Sequence, residues 1–143
     1  MSQRQRSGSI LVALAILGIA IAGYLAVTKL SGEVPVCGPL RGCETVSTSE
    51  YSEIRGVPVA IFGVAYSVVA LVASLRWWRA GDRRSLYVLY GMGLLGLLAV
   101  IYLTYLELFV IEAVCVWCVS YAVTVVGGWL VAVIALRADG RPS

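Results

Sequence analysis

Charged side chains are missing from four long stretches of this 143-residue chain, and this spacing limits its fold more than any other feature. Each stretch is long enough for an α-helix to cross a hydrocarbon core, which takes about 20 residues. None alternates strictly between polar and apolar residues, so helices are favoured over barrel strands. The stretches are Ser7–Thr28, Gly56–Leu75, Ser85–Leu106 and Ala113–Leu136.

A soluble fold could not cover four such helices with the few polar residues that remain. Only 13% of the chain is charged, and no linker or internal repeat divides it. The sequence therefore predicts an all-α, integral membrane four-helix bundle in a single domain. Its transmembrane helices are expected at about 8–29, 57–77, 85–107 and 113–136.

The first apolar stretch could also be read as a cleaved signal peptide. Ala20-Ile21-Ala22 resembles a small-residue cleavage site. However, the apolar run is longer than the roughly 7–15 residues of such a signal. We therefore expect the first helix to be retained.

Basic residues flank the four helices unevenly. Lys29, Arg41 and Arg55 lie on one side of the membrane, and eight arginines lie on the other. The positive-inside rule then places both termini and the loop between the second and third helices in the cytoplasm. The net charge of +3 thus reflects topology and not nucleic-acid binding. The eight are Arg4, Arg6, Arg76, Arg79, Arg83, Arg84, Arg137 and Arg141.

This topology puts all four cysteines outside the cytoplasm, where disulfides form and persist. Cys115 and Cys118 are three residues apart at the start of the fourth helix, where unpaired backbone amides favour a thiolate. Cys118 is expected about 4.5 Å deeper along the helix than Cys115. Cys37 and Cys43 lie in a loop that glycine and proline make turn-rich and adaptable. A mobile dithiol beside a fixed one suits a relay by thiol–disulfide exchange.

The two cysteine pairs also allow other interpretations. They could brace the outer loops of a structural tetraspan membrane protein as inert disulfides, or hold zinc or an iron–sulfur cluster. A thiol-transporting or metal-handling membrane protein is a further alternative. The chain has no histidine, which excludes haem attachment by Cys-x-x-Cys-His and most hydrolytic chemistry.

The chain resembles the vitamin K epoxide reductase family in its bacterial form. Both cysteine pairs carry the resemblance, together with Ser49 six residues past Cys43. Further matching segments are Gly56-Val57-Pro58-Val59-Ala60-Ile61-Phe62-Gly63 and the run from Tyr102 to Leu108 that leads into the second pair. The similarity covers residues from about 18 to 126, and it implies a membrane thiol–disulfide oxidoreductase that generates protein disulfides.

The resemblance implies a role for each cysteine. Cys37 would exchange with a partner's thiols, Cys43 would relay to Cys115, and Cys118 would meet a quinone. Ser49 matches a loop serine or threonine that helps to hold the active site. It would lie on a short amphipathic lid helix, about Glu44–Glu53, over the extracytoplasmic mouth of the bundle.

The quinone is expected to be a ubiquinone or a menaquinone of the vitamin K type. Val59 stands where the animal enzymes have a quinone-binding asparagine, and Tyr121 lies one position before their tyrosine, so vitamin K epoxide is not the expected substrate. The candidate quinone contacts are Phe62, Tyr66, Trp117 and Tyr121.

The resemblance also implies a partner protein and a cellular location. Since many bacterial relatives carry a fused thioredoxin-like domain and this chain stops at Ser143, we expect a separate, DsbA-like thioredoxin-fold oxidase as the thiol donor. We expect a prokaryotic plasma membrane, with membrane lipid around the helices and with neither nucleic acid nor metal as a partner.

Three glycines on the third helix suggest close helix packing. Small residues let transmembrane helices approach, because burial of apolar surface drives little association in lipid. We expect at least one of Gly91, Gly93 and Gly96 to face a neighbouring helix.

Overall fold

The computed structural model describes residues 3–32, 53–54, 57–110 and 116–139, and these form four long helices and one short strand pair. Strand β1 (Glu53–Ile54) pairs antiparallel with β2 (Val57–Pro58). A π-helical segment, Leu106–Val110, extends the third helix. The helices are α1 (Gln3–Leu30), α2 (Val59–Ala80), α3 (Arg83–Tyr105) and α4 (Val116–Asp139).

The predicted all-α four-helix fold is confirmed. Helix α1 begins five residues before its expected start at about residue 8, and the start of α2 and the end of α3 also differ from the expected bounds. Helix α2 begins at Val59 and not at Val57, because a proline disfavours the helical conformation of the residue before it. The strand pair and the π-helical segment were not predicted. Of the expected lid helix, Glu53 belongs to β1, and the preceding residues lie outside the described part of the chain.

The four helices form a ring in which each packs mainly against two others. Helix α1 contacts α2 and α4, and α3 contacts the same two. A side chain added at Gly81, in the α2–α3 turn, would meet the guanidinium of Arg4 at the start of α1. At the opposite end of the bundle, Tyr24 near the end of α1 meets Trp117 at the start of α4. We call these the Gly81 end and the cysteine end.

The α2–α3 turn is specified by two residues. Gly81 has φ +67°, a left-handed conformation that glycine adopts without a steric penalty. Asp82 caps α3, since its carboxylate accepts a hydrogen bond of 3.2 Å from the backbone N–H of Arg84. The same carboxylate lies 3.5 Å from the guanidinium of Arg76. The turn therefore sets α2 and α3 side by side in opposite directions.

The buried apolar core lies towards the Gly81 end, whereas large apolar side chains cover the outer surface. Leu95 and Phe109 are each 69% exposed, as expected for side chains that face lipid. All four helices are long and apolar enough to cross a membrane. The core cluster consists of Leu11, Ala73, Trp77, Leu86, Leu89, Ala132 and Ala135.

The glycine prediction for the third helix is confirmed. A Cβ built on Gly93 would meet the indole of Trp129 on α4, and one on Gly96 would lie 2.8 Å from the hydroxyl oxygen of Tyr66 on α2. Gly91 faces open space, with nothing within 4 Å. Two of the three glycines thus admit aromatic side chains from the neighbouring helices.

Candidate functional site

Cys118 is the predicted redox residue that the structure describes, and it lies in the first turn of α4. The helix begins at Val116, so Cys118 is its third residue and lies among backbone N–H groups that have no partner within the helix. Its side chain is half-buried. This position gives the thiol both the dipole of a helix N-terminus and access from the cysteine end of the bundle.

The other residues assigned to the redox relay lie outside the described residues. These are Cys37, Cys43, Ser49 and Cys115. In the sequence, Cys115 directly precedes the first residue of α4. Their roles stay predictions.

Trp117 joins the start of α4 to the end of α1. Its ring centroid lies 4.8 Å from that of Tyr24, and the two ring planes are inclined by 42°. Aromatic pairs at this separation stabilise a structure beyond the area that they bury. The residue beside Cys118 is therefore held by a neighbouring helix.

Tyr121, one turn below Cys118, crosses the bundle from α4 to α2. Its hydroxyl donates a hydrogen bond of 2.8 Å to the backbone carbonyl of Gly63. The hydroxyl oxygens of Tyr121 and Ser67 are 3.1 Å apart. Since the single proton of Tyr121 goes to Gly63, Ser67 is the donor of this second bond. A half-buried polar bridge thus ties the first turns of α4 to the N-terminal half of α2.

Small residues make room for this bridge. A Cβ added at Gly63 would lie 3.4 Å from the Tyr121 hydroxyl oxygen and 3.3 Å from Cβ of Ala22. One added at Gly18 would lie 2.7 Å from Oγ of Ser67 and 3.5 Å from the Tyr121 ring. Helices α1, α2 and α4 therefore meet closely around the Tyr121 ring.

Tyr66 and Phe62 occupy different surroundings. Tyr66 is half-buried, with its hydroxyl against Gly96 of α3. Phe62 is 51% exposed on the outer face of α2. The structure therefore ties Trp117 to α1 and Tyr121 to α2, on either side of Cys118 in the sequence. It places Tyr66 at the α2–α3 interface and leaves Phe62 facing outwards.

Sequence reasoning missed three contributors to this region. Ser67 and Tyr24 gave no separate signal within uniformly apolar helices. Gly63 belongs to a matched segment, but its role as the acceptor for Tyr121 was not foreseen. Small residues spaced four apart on α1, such as Gly18 and Ala22, were the available sign that this face packs closely.

Comparison with known protein families identifies the chain. The model of the vitamin K epoxide reductase family matches residues 9–133. This chain belongs to the vitamin K epoxide reductase family. As a member of this quinone-linked family with four helices able to span the bilayer, it is a multi-pass membrane oxidoreductase. Among the described residues, no group of three or more His, Cys, Asp or Glu could hold a metal ion.

Proposed function

We propose that this vitamin K epoxide reductase homologue passes electrons from the thiols of a separate thioredoxin-fold protein to a quinone in the membrane. The path runs through the pair Cys37 and Cys43 to the pair Cys115 and Cys118. The product is a disulfide in the partner protein. The observation that carries the proposal is the half-buried Cys118 in the first turn of α4, in a chain of this family.

The surroundings of Cys118 fit a quinone as electron acceptor. Trp117 and Tyr121 lie close to Cys118 along α4 and are fixed to α1 and α2, so a quinone that reaches Cys118 would meet aromatic side chains that are already held in place. Exposed apolar side chains surround this end, including Val57 and Val119, and would let a lipid-soluble ring approach from the bilayer. The quinone supplies the capacity to accept two electrons and two protons.

The cavity beside Tyr66, further from the cysteine end, is too small for a quinone ring. The cavity lined by Tyr66 has a volume of about 40 Å³. By comparison, an engineered apolar cavity that takes up benzene has about 150 Å³. We therefore infer that the ring binds at the mouth of the bundle beside Cys118. Tyr66 is then a weaker candidate for a ring contact than Trp117 and Tyr121. Phe62, in the first turn of α2, is a weaker candidate for a different reason, because it faces outwards.

The exchange steps balance in atoms and electrons. A partner thiolate attacks the Cys37–Cys43 disulfide at Cys37, which releases Cys43 as a thiolate. The second partner thiolate displaces Cys37, and the partner leaves with a disulfide. Cys43 then attacks Cys115 in the Cys115–Cys118 disulfide and releases Cys118. Attack by Cys37 on Cys43 frees Cys115, and the inner pair holds the two electrons that the quinone accepts.

The sidedness of the membrane domain, residues 1–143, follows from charge. At the Gly81 end, arginines flank the first, second and third helices, with Arg4 lying against the α2–α3 turn. This grouping supports a cytoplasmic Gly81 end and an extracytoplasmic cysteine end in a prokaryotic plasma membrane. Partner thiols and quinone then meet at the same side.

A reconstituted assay tests the proposal. Purified protein in lipid is mixed with a reduced thioredoxin-fold oxidase and then with ubiquinone-1 or menadione, and quinone absorbance is followed. We expect loss of quinone together with oxidation of the partner's dithiol, one for one. Cys118→Ala should abolish this, whereas Val123→Ala, an exposed apolar position further along α4, should not. Disulfides that stay oxidised, with no quinone consumed, would instead indicate a structural tetraspan protein.

A further inference from the structure

Trp129, three turns below Cys118 on α4, carries a polar group that the described residues leave unsatisfied. Its indole Nε1 is buried and has no hydrogen-bond partner within the described part of the chain. The five-membered ring of the indole lies against Gly93 of α3. Inside a membrane, bulk water is absent, so an N–H without a partner is costly, and such groups are normally paired.

A cavity lies beside this indole, between the helices. All four helices contribute to its wall, and its volume is about 40 Å³. A cavity volume of about 10–15 Å³ is enough to hold one water molecule. The lining is partly polar, with the side chains of Tyr66, Ser67, Ser74, Thr124 and Trp129.

The hydroxyl groups of this lining have acceptor capacity to spare. Ser74 donates a hydrogen bond of 2.6 Å to the carbonyl of Ala70, and Thr124 donates one of 2.6 Å to the carbonyl of Tyr121. Each hydroxyl has thereby used its only proton but keeps lone pairs on oxygen. These oxygens can accept a hydrogen bond, and none of them bonds Nε1 directly. A small molecule that accepts a hydrogen bond from the indole N–H and donates one to a hydroxyl oxygen would satisfy these groups.

We propose that this cavity is a binding site for an ordered water molecule. The water accepts a hydrogen bond from Nε1 of Trp129 and donates to the hydroxyl oxygens of Ser74 and Thr124. It links α2 to α4 through buried polar groups, one to two turns below Tyr121 along α4. The site is separate from the proposed quinone site, because its volume and its polar lining suit water and not an aromatic ring.

Nuclear magnetic resonance of the purified protein in micelles tests the proposal. Tryptophan labelled with ¹⁵N at the indole gives one signal for each of the four tryptophans, and Trp129→Phe assigns the signal of interest. We expect the Trp129 indole proton to show a cross-peak to water of long residence time. A Trp129 signal that is present without such a cross-peak would overturn the proposal.

Variants of the water's partners provide a second readout. Thr124→Val keeps the shape of the side chain and removes the hydroxyl, and Ser74→Ala removes the other acceptor. At least one should shift the Trp129 indole proton upfield by more than its linewidth. Thr104→Val, at an exposed position on α3, is the matched control and should leave the signal in place. If neither cavity variant moves the signal, or if only the control does, the water site is wrong.

Discussion

The hydroxyl of Tyr121 lies 2.8 Å from the backbone carbonyl oxygen of Gly63 and crosses the ring of helices from α4 to α2. Gly63 has no side chain to block this approach, and the chain places Cys118 one turn above Tyr121. The orientation of the first turns of α4 therefore depends on a hydrogen bond to backbone. The bond also commits the only proton of Tyr121, so its hydroxyl serves to position the helix more than to donate to a quinone.

Removing the Tyr121 hydroxyl should destabilise the bundle by a modest amount. Hydrogen bonds between transmembrane helices contribute about 0.5–1.5 kcal/mol. Tyr121→Phe loses the bond to Gly63 and the bond from Ser67, and keeps the packed ring. We expect a lower free energy of unfolding, measured by denaturant titration in micelles.

Tyr102→Phe serves as the control, because Tyr102 is 60% exposed on α3. It should unfold like the parent protein. A Ser67→Ala variant should lose part of the same free energy, and its effect should not add fully to that of Tyr121→Phe, since the two hydroxyls share one bond. Full additivity would contradict the shared bridge.

The glycines of α3 offer a test on a single helix. Gly96→Leu places a side chain where the Tyr66 hydroxyl lies, and Gly93→Leu places one against the Trp129 indole. Overpacking of this kind costs about 1–3 kcal/mol. Both variants should have a lower melting temperature by differential scanning fluorimetry in micelles.

Gly91→Leu is the matched control, since no atom lies within 4 Å of a Cβ at that position. Its melting temperature should equal or exceed that of the parent, because leucine has a higher helix propensity than glycine. Equal destabilisation by all three substitutions would mean that packing against α2 and α4 is not the cause.

The sequence predicts the helices well and their faces poorly, for a physical reason. Long gaps between charged residues mark membrane helices, and Pro58 explains where α2 begins. However, each helix is apolar all round, so no periodic pattern tells which side faces its neighbours. The bond from Tyr121 to Gly63 and the pairing of Tyr24 with Trp117 depend on those faces.

The candidate site also has features that the sequence predicts and features that it does not. The sequence predicts Cys118 near the start of the fourth helix, and the structure agrees, although α4 begins at Val116 and so places Cys118 in its first turn. That Phe62 faces outwards while Trp117 faces α1 could not be derived, because both residues are aromatic and lie near helix starts. The buried nitrogen of Trp129 gave no sequence signal, since tryptophan is also common at membrane surfaces.

The proposed topology predicts which cysteines react from which side. A membrane-impermeant maleimide added to intact cells after reduction should label Cys118, which lies at the cysteine end, and the other three native cysteines, which the proposed topology puts on the same side. The reagent should fail to label Arg79→Cys in a background without other cysteines until the membrane is opened, since Arg79 lies in the last turn of α2 at the Gly81 end. Labelling of Cys115 from the cytoplasm alone would reverse the orientation.

Replacing different cysteines should block different steps of the electron transfer. With Cys118→Ala, the inner disulfide cannot form, because Cys115 has lost the cysteine with which it pairs. Quinone reduction should therefore fall to background. Cys115 can still attack Cys43 of the outer disulfide and form a bridge to it. This bridge should accumulate, because without Cys118 only the thiolate of Cys37 remains within the chain to open it. Non-reducing electrophoresis after thiol blocking, followed by peptide mass spectrometry, measures this bridge.

Cys37→Ala should instead block delivery from the protein partner and spare the inner pair. A small membrane-permeant dithiol should then still support quinone reduction, because it can reduce the Cys115–Cys118 disulfide directly. The same dithiol should not rescue Cys118→Ala, whose defect lies at the last transfer. The two residues differ in position, because Cys118 lies within the first turn of a membrane helix beside Trp117, whereas Cys37 belongs to the segment that separates α1 from α2 in the sequence. If the two variants respond alike to the dithiol, and neither accumulates a mixed disulfide, the order of transfer proposed for the four cysteines is wrong.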